Sequence, residues 1–136
     1  MRIDLDYLKS FLDSVLAHDS PDFMLNLPKF KHLHDNEDVL KTLVFHLAIL
    51  EDQGLLESVG QNQGLGFNRF GSTYKISFRP LRLTAQGHQF AADLVKPGVF
   101  EKVKTSFKDS GPAETVKVVF ALGKQIADKK LSELIE

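Results

Sequence analysis

The stretch Asn36–Glu57, NEDVLKTLVFHLAILEDQGLLE, decides how this chain is read. Val39, Leu40, Leu43, Val44, Leu47 and Leu50 recur at helical spacing, which predicts a helix of about five turns with one wide apolar face on a core. Gly54 stands where the helix needs a left-handed residue to stop, and Leu55 to Val59 follows as a short strand. The side away from the stripe holds Asp38, Lys41, Thr42, Phe45, Ile49 and Asp52. Two of these, Phe45 and Ile49, are large, apolar and one turn apart, so something must cover them. The candidates are the first or last helix of the same chain, a partner protein, or a second copy.

Upstream, Asp4 is a good N-cap for a helix running to about His18, with Leu5, Leu8, Leu12, Val15 and Leu16 inward. Pro21 ends that segment, and the alternation from Phe23 to Leu27 predicts a short strand. Pro28 to Asp35 is short and polar and leaves room for one or two helical turns at most. Downstream, residues near Thr73–Phe78 are expected to pair with Leu55–Val59 as a hairpin, its tip carrying Gly60, Gly64, Gly66 and Gly71. Pro80 ends the second strand, and Thr84 caps a helix whose apolar face is Leu83, Phe90, Ala91 and Leu94. Gly87 inside that helix costs roughly 1 kcal/mol against alanine, which suggests that another stretch of backbone approaches it closely. Val99–Phe107 forms a short amphipathic helix with Val103 and Phe107 inward. Pro112 opens a last helix carrying Val116, Val119, Phe120, Gly123, Ile126, Ala127 and Leu134.

This order implies an α+β fold: a winged helix-turn-helix-like domain with a β-hairpin wing and additional C-terminal helices. It is read as a single domain over residues 1–136, with the winged-helix core at 1–95 and a C-terminal helical extension at 96–136. The composition, 43% hydrophobic and 26% charged, is that of a globular chain. With 0 cysteines, disulfides and thiolate zinc sites are excluded, and a reducing, cytoplasmic setting is expected. The start of the chain has Asp4 and Asp6 among its apolar residues and no secretory h-region. The longest apolar run, Leu43 to Leu50, is interrupted by His46 and too short for a bilayer, so no membrane association is expected.

The charge is unevenly placed. Residues 1–57 carry 5 Lys and Arg against 11 Asp and Glu, whereas residues 58–92 carry Arg69, Lys75, Arg79 and Arg82 and no acid. On a wing, these four cations could clamp phosphates, with Asn68 or Gln63 near the tip available to base edges. The alternative is a solvated hairpin whose cations serve no ligand. The long helix argues against base reading, because its outward face offers two carboxylates and no Arg or Gln.

Enzyme chemistry finds little support: there is no nucleophile elbow, no phosphate loop and no paired-histidine zinc motif. GQNQGLG lies between strands and lacks the lysine and following helix that cradle phosphate. His32, His34 and Asp35 lack a strong third ligand nearby, and His46 and His88 are read as partly buried, hydrogen-bonded histidines. No metal, cofactor or catalytic residue is expected.

HLAILEDQGLLE, followed by YKISFRPLRLTAQGHQF, resembles a bacterial and phage family of winged-helix-like proteins, the domain of unknown function 2513. The matching positions are His46, Leu47, Leu50, Gly54, Leu55 and Leu56, then Arg82, Leu83, Thr84, Gly87, His88 and Phe90. The likeness extends through Asp4–Leu8 and the lysine-rich C-terminal helices, and so covers most of the chain. It implies a winged-helix-like domain, often encoded near mobile elements, and no activity. The expected function is a small non-enzymatic regulator that binds double-stranded DNA. The alternative is a protein-interaction module on the same scaffold. A homodimer through the last helix is expected, with Val116, Phe120, Gly123 and Ala127 as its seam.

Overall fold

The computed structural model describes residues 1–60 and 63–135, so Gln61 and Asn62 of the GQNQGLG stretch, and Glu136, lie outside the described residues. The fold is α+β and divides into two compact units, Met1–Gly87 and His88–Glu136. The division falls inside a helix rather than after Val95, because the later turns of that helix pack within the second unit.

In the first unit, α1 (Leu5–Leu16) begins at Asp4, whose carboxylate accepts a bond from the Tyr7 amide. It ends before His18, and its buried face is Leu8, Phe11, Leu12 and Val15. Leu16, expected inward, is exposed because it rotates off that stripe in the final turn. The expected strand at Phe23–Leu27 is a single bridge, Phe23 to Leu81. The Leu27 amide already turns back to the Met24 carbonyl, and Pro28 opens a 3₁₀ helix, Pro28–Leu33. Phe11, Phe23 and Phe30 meet with ring centroids 5.4–6.2 Å apart and knit these three segments together.

Helix α2 (Glu37–Asp52) starts at Asn36, whose side chain accepts from the Val39 amide. It stops as expected at Gly54 (φ 72°). There the Gly54 amide reaches the Glu51 carbonyl and the Leu55 amide reaches that of Leu50, the paired bonds of a Schellman motif. Leu40, Leu43, Leu47 and Leu50 are buried on the core side, whereas Val39 and Val44 are only half-buried.

Strand pairing departs from the expected hairpin. β1 (Leu56–Ser58) pairs antiparallel with β4 (Leu81–Leu83), not with residues 73–78. Between them, β2 (Phe67–Phe70) and β3 (Thr73–Ile76) form a separate hairpin closed by Gly71 and Ser72. Gly71, at φ 61°, supplies the left-handed residue that such a two-residue turn requires, and this local closure outcompetes the longer loop. With the Phe23 bridge, β4 lies between Phe23 and β1. Helix α3 (Ala85–Leu94) follows, its start fixed by Thr84, whose hydroxyl accepts from the Gly87 amide and donates to the Gly54 carbonyl. Gly87 is the close approach expected of it: a Cβ there would overlap the Leu55 carbonyl oxygen.

In the second unit, Phe90, Ala91 and Leu94 are buried with Val99 and Val103 of α4 (Val99–Ser106) and Val116 and Val119 of α5 (Pro112–Ile135). Phe90 meets Phe120 edge to face, with ring centroids 6.0 Å apart. The buried Asp93 carboxylate accepts from Gln89 and pairs with Lys96 at 2.9 Å, and Lys96 also donates to the Gly123 carbonyl. Gly123 is small because Asp93 lies against it. His88, expected to be partly buried, is exposed on α3.

Candidate functional site

A strand pair has two faces, and register decides what each shows. In β2–β3, Phe67 stands opposite Ile76, Asn68 opposite Lys75, Arg69 opposite Tyr74, and Phe70 opposite Thr73. Alternation therefore puts Phe67, Arg69, Tyr74 and Ile76 on one face, and Asn68, Phe70, Thr73 and Lys75 on the other. The first face turns toward α2, against which β3 packs. The second faces outward, and Phe70 on it is 53% exposed.

This arrangement separates the four cations expected to act together. Arg69 lies on the α2 side, where its Nε donates to the Gly71 carbonyl and its guanidinium sits 5.6 Å from the Tyr74 ring centre. Lys75 faces outward, with its ammonium 5.0 Å from the centre of the Phe70 ring. Arg79 donates to the Gln63 carbonyl at 2.7 Å and braces the loop before β2. Arg82 is not on the hairpin: it lies on β4, ion-paired with Glu57 at 2.7 Å, so the acid-free stretch borrows an acid from β1. Asn68 donates to the Gly66 carbonyl and to the Ser77 hydroxyl, which holds its amide along the hairpin.

The outward face of α2 is roofed. Ile49 is buried and Phe45 half-buried, and the β2–β3 hairpin lies over them. A groove of about 640 Å³ remains under that roof. Its α2 wall is Lys41, Val44, Phe45, Ala48, Ile49 and Asp52, one helical stripe over three turns; Arg69, Ser72 and Tyr74 form the opposite wall, and Met1 completes the lining. Asp38 is exposed near the start of the helix, and the Thr42 hydroxyl donates back to the Asp38 carbonyl. Reading the sequence placed Val44 in the core and did not single out Ala48, Phe70 or Tyr74. The i, i+3, i+4 spacing from Lys41 to Asp52 was the available signal for the first of these.

His46 is buried and satisfied at both nitrogens. Nε2 accepts from the Asp4 amide at 2.9 Å, so the proton is on Nδ1, which donates to the Thr42 carbonyl at 2.8 Å. Burial lowers its pKa below the usual 6.5, opposed in part by the Thr42 carbonyl and the Asp4 carboxylate. Its ring lies 4.4 Å from that of Tyr7, whose hydroxyl is buried without a hydrogen-bond partner among the described residues. Burial pushes the Tyr7 pKa up to about 12. This cluster fastens the start of α1 to α2.

His34 is bonded through Nε2 to the Leu25 carbonyl at 2.7 Å, which takes one nitrogen of the His32–His34–Asp35 group. Among the described residues, no group of three or more His, Asp or Glu is placed to hold a metal ion. No helix there is long and apolar enough to cross a membrane. Comparison with family models, with curated proteins and with solved structures produced no match.

Proposed function

We propose that the chain is a non-enzymatic, winged-helix-type module that works through protein contact, pairing with a second copy of itself along α5. The winged-helix reading of the first unit draws support from the order of α1, the Phe23 bridge, the 3₁₀ helix, α2, β1, the hairpin and β4. The β4 strand between Phe23 and β1 matches the small sheet of such a scaffold. The observation that carries the contact is the distal half of α5. Ala127, Leu131 and Leu134 continue the stripe begun by Phe120 and Gly123, and Leu131 and Leu134 are 57% and 82% exposed. Phe120 and Gly123, expected in the seam, already serve packing within the second unit. That leaves the residues beyond them for a partner.

Light scattering at tens of micromolar tests this. The expected mass is twice 15.3 kDa, falling to the single-chain value when Leu131 and Leu134 are both replaced by Glu. A wild-type chain of single mass would remove the proposal.

A second reading, binding of double-stranded DNA, is favoured by one specific feature. The outward face of β2–β3 carries Lys75, Asn68 and an exposed Phe70, with no acid anywhere in residues 58–92. On this reading the hairpin alone makes the contact, since α2 is roofed. Lys75→Ala should then flatten the slope of log affinity against log salt by about 0.9. Arg69→Ala, on the inner face, should change it less. Absence of duplex binding in low salt would dismiss this reading without touching the first.

A further inference from the structure

Helix α2 is apolar on two sides. One stripe, Leu40, Leu43, Leu47 and Leu50, fills the core, while the other, Val44, Phe45, Ala48 and Ile49, lies beneath the hairpin. The hairpin covers that second stripe incompletely and leaves the groove of about 640 Å³, within the range of roughly 300–1,000 Å³ typical of small-molecule sites. Lys41 and Asp52 mark its two ends along the helix, about 16 Å apart at 1.5 Å per residue.

The opposite wall supplies direction. Arg69 is held by the Gly71 carbonyl at 3.0 Å and the Tyr74 hydroxyl at 3.3 Å, and its guanidinium lies beside the Tyr74 ring. Those bonds use two of about five guanidinium donors. Among the described residues no ion pair involves Arg69, and Lys41 is held only loosely by Glu37, at 3.9 Å. Two cations with donors to spare therefore stand over an apolar floor beside an aromatic ring, while an acid, Asp52, closes the C-terminal end of the helix stripe.

We propose that this groove binds a small aromatic carboxylate. Its ring rests on Val44, Phe45, Ala48 and Ile49 beside Tyr74, and its carboxylate is taken by the Arg69 fork with Lys41 near. A planar guanidinium already oriented by two bonds matches a carboxylate in bidentate geometry. The site lies wholly within the first unit and is independent of the α5 contact.

The probe is 2-naphthoate, followed by its fluorescence anisotropy against the full chain. Naphthalene-2-methanol serves as the neutral analogue. Saturable binding with a dissociation constant below about 1 mM is expected, with the alcohol weaker by about tenfold. Arg69→Gln should weaken 2-naphthoate by the same factor and leave the alcohol unchanged. Ala48→Trp, which fills the floor, should remove both. If that variant loses its helical circular dichroism, the exposed Arg69→Gln change decides. No saturable binding by folded wild type, equal affinity for acid and alcohol, or a folded Ala48→Trp variant that binds normally would each overturn the proposal.

Discussion

Replacing Gly87 by alanine sets two effects of known sign against each other. In a helix interior, alanine is better than glycine by about 0.8–1.0 kcal/mol, and a helix in open solvent would gain that much. Here the added Cβ would overlap the Leu55 carbonyl oxygen and stand 3.0 Å from its carbonyl carbon. Carbon–carbon contacts are comfortable from about 3.5 Å, so α3 must retreat by about 0.5 Å from the carbon alone, and further from the oxygen. Neither side yields easily. The Leu55 carbonyl accepts from the Thr84 amide at 3.0 Å, and the Thr84 hydroxyl is tied to the Gly54 carbonyl at 2.6 Å. Overpacking costs about 1–3 kcal/mol, and loosening one of these bonds about 1 kcal/mol more. After the helix gain, a net loss of about 1–3 kcal/mol is expected. Urea melts followed by circular dichroism should show a lower midpoint at unchanged slope. Gly111→Ala, with open space around it, is the control and should move the midpoint little. A Gly87→Ala chain as stable as wild type, or more stable, would refute the close approach.

Leu47→Ala should cost about 2–5 kcal/mol, because a fully buried side chain at the centre of the α2 core stripe is replaced by a cavity; a midpoint shift worth under about half a kcal/mol would contradict that placement. Asp93→Ala should cost about 1–3 kcal/mol, since the Gln89 and Lys96 bonds are lost together and space opens beside Gly123. A variant melting with wild type would show that the bracket adds nothing. His46 gives a pH dependence. Its folded pKa lies below 6.5, so the unfolded chain binds the extra proton first, and stability is full above 6.5 and lost as pH falls from there through the folded pKa. Glu51, raised above 4.5 by burial and by Asp52, acts oppositely: its contribution is full below 4.5 and lost as pH rises through its folded pKa. Stability measured between pH 7 and 5 should therefore fall in wild type and flatten in His46→Gln; equal slopes would refute the assignment.

What the sequence made legible is what local chemistry determines. The Asp4 cap, the Gly54 stop, the Thr84 cap and the Gly87 approach all follow from a few residues and their backbone needs, and each is where it was expected. The misreadings are long-range. β1 was expected to pair with residues 73–78, because both segments read as strands and four glycines lay between them. Pairing partners are not written locally, and Gly71 with Ser72 closes a tighter hairpin that leaves β1 to β4. The four cations are divided with it, since a change of partner also changes which face each side chain takes. Leu16 shows the smaller version: a residue at helical spacing is buried only where something lies opposite it.

The two apolar stripes of α2 also limit what the first unit can do. A helix that reads bases must present a polar face, open enough to enter a groove about 12 Å wide. The outward stripe of α2 has Val44, Phe45, Ala48 and Ile49 at its centre, with Lys41 and Asp52 at the two ends of the groove. Left open, it would be an apolar patch in water, and the hairpin that covers it necessarily occupies the approach. The feature that needs the roof therefore also removes the helix from base contact. The same hairpin sets Arg69, still exposed, on the wall of the groove above the apolar floor. If the hairpin were instead a mobile wing that lifted off α2, Ile49 would lose its cover. Slow exchange at the Phe45 and Ile49 amides would not decide this, because helix bonds protect them in either case. The Phe67 to Ile76 ladder is no more decisive, since it survives any rigid lifting. The side chains are the useful reporters: nuclear Overhauser contacts from Tyr74 to Phe45 or Ile49 are expected with the roof closed, and their absence in a folded chain would free α2 and restore it as a candidate for DNA.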